Sequence, residues 1–210
     1  MLSLLRVKYF QFIEHWHQEG FLSACCFALY HRDEEVPVVR SLTDLPPLKG
    51  AEEGMHLVEV TPENFSPQAF KYPLRSRQER VDLYFQKGYR GLAMVHDGRA
   101  IGDLWYVSRG TAKTPEIHPD VQRFKIDLAD KEIYMFDMHV GAEQRGGGHA
   151  TFLLNSVLHH LYGKGYHRAY GYYSATNIPA LWVHRLLGYQ ELPHYIMRRF
   201  LLYRTAQVKD

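Results

Sequence analysis

Cysteine is scarce: the 210 residues hold two, the neighbours Cys25 and Cys26. Adjacent cysteines rarely bridge each other, so no disulfide framework is expected, and a reducing, cytoplasmic setting is. Net charge is nearly absent too, at +2 with histidine neutral. That is too little to point to nucleic acid or to an acidic membrane surface. No apolar run reaches the roughly 18 residues of a membrane span, so no integral membrane segment is expected. The apolar start, residues 1–20, is broken by Arg6, Lys8 and Glu14, which argues against a signal peptide. There is no internal repeat and no low-complexity tract. His15-x-His17 and His159-His160 suggest a metal, but on a helix such neighbours do not share a face. No Cys or carboxylate joins them at ligand spacing, so no metal is expected.

What is present is ordinary globular composition, 46% apolar and 23% charged, enough for one sizeable core. Leu2, Leu5, Tyr9, Phe12 and Trp16 recur at helical spacing. This helix is expected to dock on the rest of the chain, ahead of a second subunit (a homodimer) or a membrane surface, because its polar face is not notably basic. Residues 21–30 and 36–39 read as two short strands, with His31-Arg32-Asp33-Glu34-Glu35 turning between them. Residues 44–50 read as a linker. The expected division is an N-terminal helix-plus-hairpin appendage over 1–54 and a second unit over 55–210.

From there strands and helices alternate. Residues 57–60 form a strand, and Thr61-Pro62-Glu63-Asn64 can start a helix. A helix follows over 77–87. Residues 91–96 and 101–108 make a hairpin across Asp97-Gly98, a strong turn signal. Residues 132–140 form an apolar, central strand. Over 149–163, Ala150, Leu153, Leu154, Val157, Leu158 and Leu161 make one apolar helical stripe. A strand at 168–173, a helix at 177–187 with Pro179 in its first turn, and strands at 189–192 and 196–203 complete an α/β pattern.

The chemistry concentrates in Gln144-Arg145-Gly146-Gly147-Gly148-His149-Ala150. It joins an apolar strand to an amphipathic helix. Free N–H groups and a positive dipole end sit at a helix start, and glycines before it let a phosphate approach the backbone. The segment is therefore an anion cradle, suited to a pyrophosphate, with Arg145 beside it. A nucleotide P-loop needs Gly-Lys-Ser/Thr, whereas His149-Ala150-Thr151 stands here. A dinucleotide fingerprint needs a third glycine where Thr151 stands, and an acidic residue after the next strand, which ends Tyr172-Tyr173-Ser174.

The segment resembles the first signature of the GNAT superfamily of acetyl-CoA-dependent N-acetyltransferases, Gln/Arg-x-x-Gly-x-Gly/Ala, at Arg145-Gly146-Gly147-Gly148-His149-Ala150. The second signature, Asn-x-x-Ala followed by a Tyr and then Gly-Phe, is similar to Asn177-Ile178-Pro179-Ala180, then His184, then Gly188-Tyr189. The close resemblance covers about 133–192. It implies a mixed, mostly antiparallel central sheet flanked by helices. It implies acetyl-CoA as co-substrate and a small-molecule or peptide amine as acceptor. Main-chain groups of Met138, His139 and Val140 would pair with the pantetheine arm. Backbone N–H groups from Arg145 through Gly146, Gly147, Gly148 and His149 to Ala150 would hold the pyrophosphate. Asn177 would lie near the pantetheine and Ala180 would leave it room.

His184 stands where the family usually has a tyrosine that protonates the departing thiolate. It is a candidate general acid, a contact residue or a structural histidine. Glu132 and Asp137, on one strand, are the candidate general bases beside a water chain. Tyr172 and Tyr173 bracket the cleft, one on each face. The expected activity is direct acyl transfer from acyl-CoA to an amine. A CoA-binding sensor or scaffold without activity, and a synthase of N-acyl amino acids with a longer donor, are the alternatives.

Overall fold

The computed structural model describes residues 2–48, 53–65, 74–200 and 203–209. Two helices, α1 (Leu2–Glu19) and α2 (Phe21–Leu29), lead into strand β1 (Tyr30–Ser41). Then come β2 (Met55–Val60), α3 (Arg75–Lys87), β3 (Arg90–His96), β4 (Arg99–Val107), α4 (Pro119–Arg123) and β5 (Glu132–Val140). The chain finishes with α5 (His149–Gly163), β6 (Arg168–Ser174), α6 (Ile178–Leu186), β7 (Gln190–Glu191), β8 (Tyr195–Phe200) and β9 (Tyr203–Val208). The sheet runs in the order β2-β3-β4-β5-β6-β1-β8-β9, with β7 also on β1. Only the β5/β6 pairing is parallel among the described strand pairs. This is the mixed, mostly antiparallel sheet expected from the sequence, flanked by helices.

The N-terminal region departs from expectation. Residues 21–29 are a helix, not a strand, and the charged stretch 31–35 is not a turn but part of β1. A nine-residue run whose one polar member is Ser23 fits either state on pattern alone. The charges of 31–35 are tolerated because this half of β1 has one face on solvent and the cleft. β1 pairs with β6 along residues 35–41 and with β8 along residues 30–35, so it is an interior strand of the same sheet as residues 55–208. The expected helix start at 61–64 is a turn held by Asn64 Oδ1 and the Thr61 N–H, 2.8 Å apart. Residues 66–73, the linker's end at 49–50, and 201–202 within the last expected strand lie outside the described residues.

Both faces of the sheet are covered. On one, Leu153, Leu154, Val157, Leu158 and Leu161 of α5 pack on Leu92, Met94, Leu104 and Ile133. Full burial of each such side chain is worth about 1.5–3 kcal/mol. On the other, Val81 of α3 joins Trp105, Val107, Tyr134 and Phe136. The β3–β4 turn takes positive φ at both Asp97 and Gly98, the geometry that fits the twist of a tight hairpin.

Helix α1 docks on α3, as the sequence led us to expect. The Glu14 carboxylate accepts from the N–H and the hydroxyl of Ser76, supplying the cap that the N-terminal residue Leu74 lacks. Arg75 lies over the Phe10 ring, 4.4 Å from its centre. No described helix is long and apolar enough to cross a membrane.

Helix α3 in turn grips β5. Opposite Leu104, β5 places two residues, Asp137 and Met138, against one, and Asp137 takes φ 49°. This is a β-bulge. Arg77 donates to Asp137 Oδ1 at 3.0 Å, to the Asp137 carbonyl at 2.9 Å and to Asp103 Oδ1 at 2.5 Å. Arg80 donates to Asp137 Oδ2 at 2.7 Å and the Tyr84 hydroxyl to the same oxygen at 2.8 Å. Burial works against the Arg77 charge, but Asp103 and Asp137 outweigh it and hold the guanidinium protonated. Burial pushes the Asp103 carboxyl up to about 6, against the pull of Arg77.

Removing one partner of a buried ion cluster leaves the others uncompensated, at a cost of about 3–5 kcal/mol. Arg77→Met should lower the unfolding free energy extrapolated from urea melts by that amount at pH 8, and the urea midpoint with it. The loss should shrink towards pH 5.5, because protonating Asp103 relieves the unpaired charge. An unchanged midpoint at pH 8 would contradict this account.

Candidate active site

The bulge shapes the cleft. β5 and β6 pair only over residues 132–134 and 168–170. Beyond that, β5 bends away while β6 stays paired with β1. The parted strand ends enclose a cleft of about 630 Å³ that passes between them. Strand alternation gives its two halves different characters. Met138, Val140 and Tyr173 belong to the α5/α6 side of the core. With Ala150, Ala180, Val183 and His184 they make one half largely apolar. Tyr172 belongs to the opposite face, and there the cleft is lined by Asp137, His139, Glu35, Asp33 and His31.

At the mouth, β5 gives way to a short 3-10 turn (Ala142–Gln144) and then the glycines. Gly146 and Gly148 have φ of 90° and 82°, the left-handed region that other residues enter at a cost of about 1 kcal/mol. Gly148 is the N-cap of α5 and no side chain caps the helix. The N–H groups of its first turn are thus available to an anion. The His149 ring folds back and donates through Nδ1 to the Gln144 carbonyl at 2.8 Å, and a Cβ on Gly147 would stand 2.8 Å from that ring. Arg145 is exposed, and its Nε lies 3.4 Å from the Val140 carbonyl.

Most of the expected cofactor residues meet here. Met138, His139, Val140, Arg145, Ala150, Asn177 and Ala180 border the cleft. Gly147, Gly148 and His149 border a neighbouring cavity of about 530 Å³ behind the turn, shared with Pro46, Pro47 and Leu187. Gly146 borders neither. Asn177 caps α6, accepting from the Ala180 N–H at 3.1 Å.

The expected catalytic residues fare differently. Glu132 stands at the opposite end of β5 from the cleft, eight residues from Val140 and so about 26 Å away along the strand. There it accepts from the Ala129 N–H and from Arg168, both at 2.9 Å. Asp137 borders the cleft but is held by Arg77, Arg80 and Tyr84. Burial raises its pKa, and the two arginines outweigh that, so the net shift is downward. A carboxylate held so is a poor proton acceptor. His184 stacks on Tyr173 with ring centres 5.1 Å apart. Its Nδ1 lies 2.7 Å from the Ala180 carbonyl, which can only accept, so Nδ1 carries the proton. Burial lowers its pKa, offset in part by that hydrogen bond. The neutral ring therefore offers Nε2 as an acceptor, not as an acid. Burial likewise pushes His139 down to about 4.

His31, Asp33 and Glu35 were not singled out as site residues from the sequence. The available signal was the alternation of polar 31, 33 and 35 running into Val36 and Val38, which a dense run of charge disguised as a turn. Arg77, Arg80 and Tyr84 carried no local signal, because their partners are 26 or more residues away. Among the described residues no group of three His, Cys, Asp or Glu side chains is placed to hold a metal ion.

Residues 56–189 match the sequence model of the acetyltransferase (GNAT) family. No curated protein sequence matches the chain. Among solved structures, a GCN5-related N-acetyltransferase from Sphaerobacter thermophilus is similar over 87% of this chain and 57% of its own, with TM-score 0.55 and 16% identity. A tandem GNAT protein from the clavulanic acid biosynthesis pathway is similar over 89% and 59%, with TM-score 0.53 and 18% identity. A Drosophila protein is similar over 88% and 57%, with TM-score 0.55 and 10% identity. At such identities the likeness concerns the fold. The chain spans less than three-fifths of the length of each of these structures.

The protonation of His184 is directly measurable. In ¹⁵N-labelled protein at pH 7, long-range ¹H–¹⁵N correlation should find its ring neutral with the proton on Nδ1. An imidazolium, or a proton on Nε2, would contradict the hydrogen bond to Ala180.

Proposed function

The chain belongs to the acetyltransferase (GNAT) family, and on that premise we propose that it transfers a short acyl group from an acyl-CoA directly to an amine. The observation that carries this reading is the continuity of the cleft with the glycine turn. A groove with unpaired strand edges leads to a helix N-terminus open to an anion. A CoA thioester has that shape: an amide-bearing arm and a pyrophosphate. In this reading Met138, His139 and Val140 pair with the arm through their main chain, where β5 has left β6. The N–H groups from Arg145 to Ala150 take the pyrophosphate. Ala180 leaves the arm room, and Asn177 orients it by fixing the start of α6.

The amine nitrogen attacks the thioester carbonyl; the C–N bond forms, the C–S bond breaks and the thiolate departs. A main-chain N–H of the parted segment of β5 stabilises the oxyanion. The thiolate, from a thiol of pKa about 8.5, leaves without a proton donor. We assign His184 a contact role through its Nε2, and not the general acid's. We assign the amine's proton to Glu35, which borders the cleft, in place of Glu132 and Asp137. No enzyme nucleophile takes part, and Cys25 and Cys26 lie on α2.

Isothermal titration with acetyl-CoA, followed by thiol release over an amine panel with donors of increasing acyl length, tests the proposal. Binding should be found, and Gly148→Ala should weaken it at least tenfold by straining the cradle and narrowing it. Thiol release should accompany acylated amine. Binding without release for any amine would favour a non-catalytic CoA-binding module. Absence of binding would contradict both readings.

A further inference from the structure

Helix α1 has two apolar faces. Phe10 and Glu14 turn to α3, the one under Arg75 and the other bound to Ser76, and Val7, at the same helical spacing, is buried. The stripe that stands out in the sequence, Leu5, Tyr9, Phe12 and Trp16, is not this docking face. At about 100° per residue it centres roughly half a turn round the helix from residues 7, 10 and 14. Leu5 is 58% exposed, Tyr9 60% and Trp16 43%, and Phe12 is half-buried. The stripe continues onto the start of α2. There the Phe21 ring meets those of Phe12 and Trp16 with centres 6.2 and 5.2 Å apart, and Phe21 and Leu22 are 51% and 79% exposed.

Together these side chains expose on the order of 500 Å² of apolar surface. A stable interface takes about 800 Å² from each partner, somewhat over half of it apolar, so the patch is of the size that a dimer needs. Its shape fits a helix. The spacing of 5, 9, 12 and 16 is the alternation of four and three that keeps a narrow seam along a facing helix. A helix lying in a membrane surface has instead a strongly basic polar face. α1 balances Arg6 and Lys8 against Glu14 and Glu19, and its far side is taken by α3.

We propose that α1 and the start of α2 form the contact surface for a second copy of this chain, in a two-fold dimer whose α1 helices run antiparallel. The spacing four, three, four reads the same in both directions, so an antiparallel copy falls into register. Leu5 then packs against the partner's Trp16, and Tyr9 against the partner's Phe12. The first half of α1 is basic and the second acidic. An antiparallel copy therefore sets unlike charges side by side, where a parallel one would set like charges together. The same patch serves both copies, so the contact closes on itself. The sequence offered docking and self-association as alternatives for this helix; it has a face for each. α1 precedes the family-matched segment, residues 56–189, and the inference stands apart from the acyl-transfer reading. Since Glu14 caps α3 and α3 holds the bulge, the dimer contact bears on the helix that supports the cleft.

Sedimentation equilibrium of the full chain at micromolar concentration tests this and should give the mass of two chains. Tyr9→Glu replaces an exposed side chain, so the fold survives, which a thermal melt checks. It should raise the dimer's dissociation constant at least tenfold. Leu5→Lys and Trp16→Glu should each weaken the dimer as well. The two combined in one chain should recover much of the loss, because the antiparallel register brings position 5 against position 16. A monomer at every concentration, a dimer unmoved by Tyr9→Glu, or a double variant weaker than either single one would overturn the proposal. Capture of monomeric protein by phosphatidylserine vesicles, lost in Tyr9→Glu, would overturn it too and give the stripe to a membrane.

Discussion

The grip of Arg77 on Asp137 is the constraint on which the rest depends. One guanidinium reaches the side chain and the carbonyl of a bulged residue and also a carboxylate on the next strand. A non-glycine residue at φ 49° persists only where its surroundings over-determine it. Here Arg80 and Tyr84 complete that determination. The cluster turns β5 away from β6, and the cleft is the space so opened. It also removes Asp137 from proton chemistry, since the same contacts that hold the bulge occupy both of its oxygens. Structure and catalysis compete for this side chain, and structure takes it.

Support for the cluster extends outward in layers. α1 caps α3 through Glu14, α3 presents Arg77 and Arg80 to the bulge, and the bulge sets the cleft width. A helix that reads as an appendage thus steadies the element that steadies the site. On the far side of the sheet, α5 does two jobs with one stripe and one terminus. Its apolar face fills the core, which fixes its N-terminus at the mouth of the cleft. The two halves of the cleft follow from strand alternation alone: residues 138 and 140 turn to α5, residue 139 turns to α3, and 31, 33 and 35 on β1 turn with it.

Legibility in the sequence followed the range of the interactions. The Asp97-Gly98 hairpin, the α5 stripe and the glycine turn are local patterns, and each stands where its pattern placed it. The run from Asn177 to Tyr189 likewise forms a capped helix beside the cleft. The bulge was unreadable, because a register shift is a relation between strands and leaves no mark within one. β1 was misread because charge at 31–35 suggests solvent, whereas His31, Asp33 and Glu35 border the cleft from within the sheet. Glu132 opens the strand whose other end carries the glycine turn, and the length of an extended strand alone sets it about 26 Å from Val140. His184 kept its position, but its tautomer depends on the Ala180 carbonyl one helical turn earlier.

A crystal structure with acetyl-CoA bound tests the central claim most directly. The account predicts the thioester between the parted ends of β5 and β6, at Met138 to Val140, with the pyrophosphate on the N–H groups of 145–150 and Arg77 still on Asp137. A pyrophosphate bound elsewhere, or β5 and β6 found paired through Val140 with the bulge gone, would contradict it.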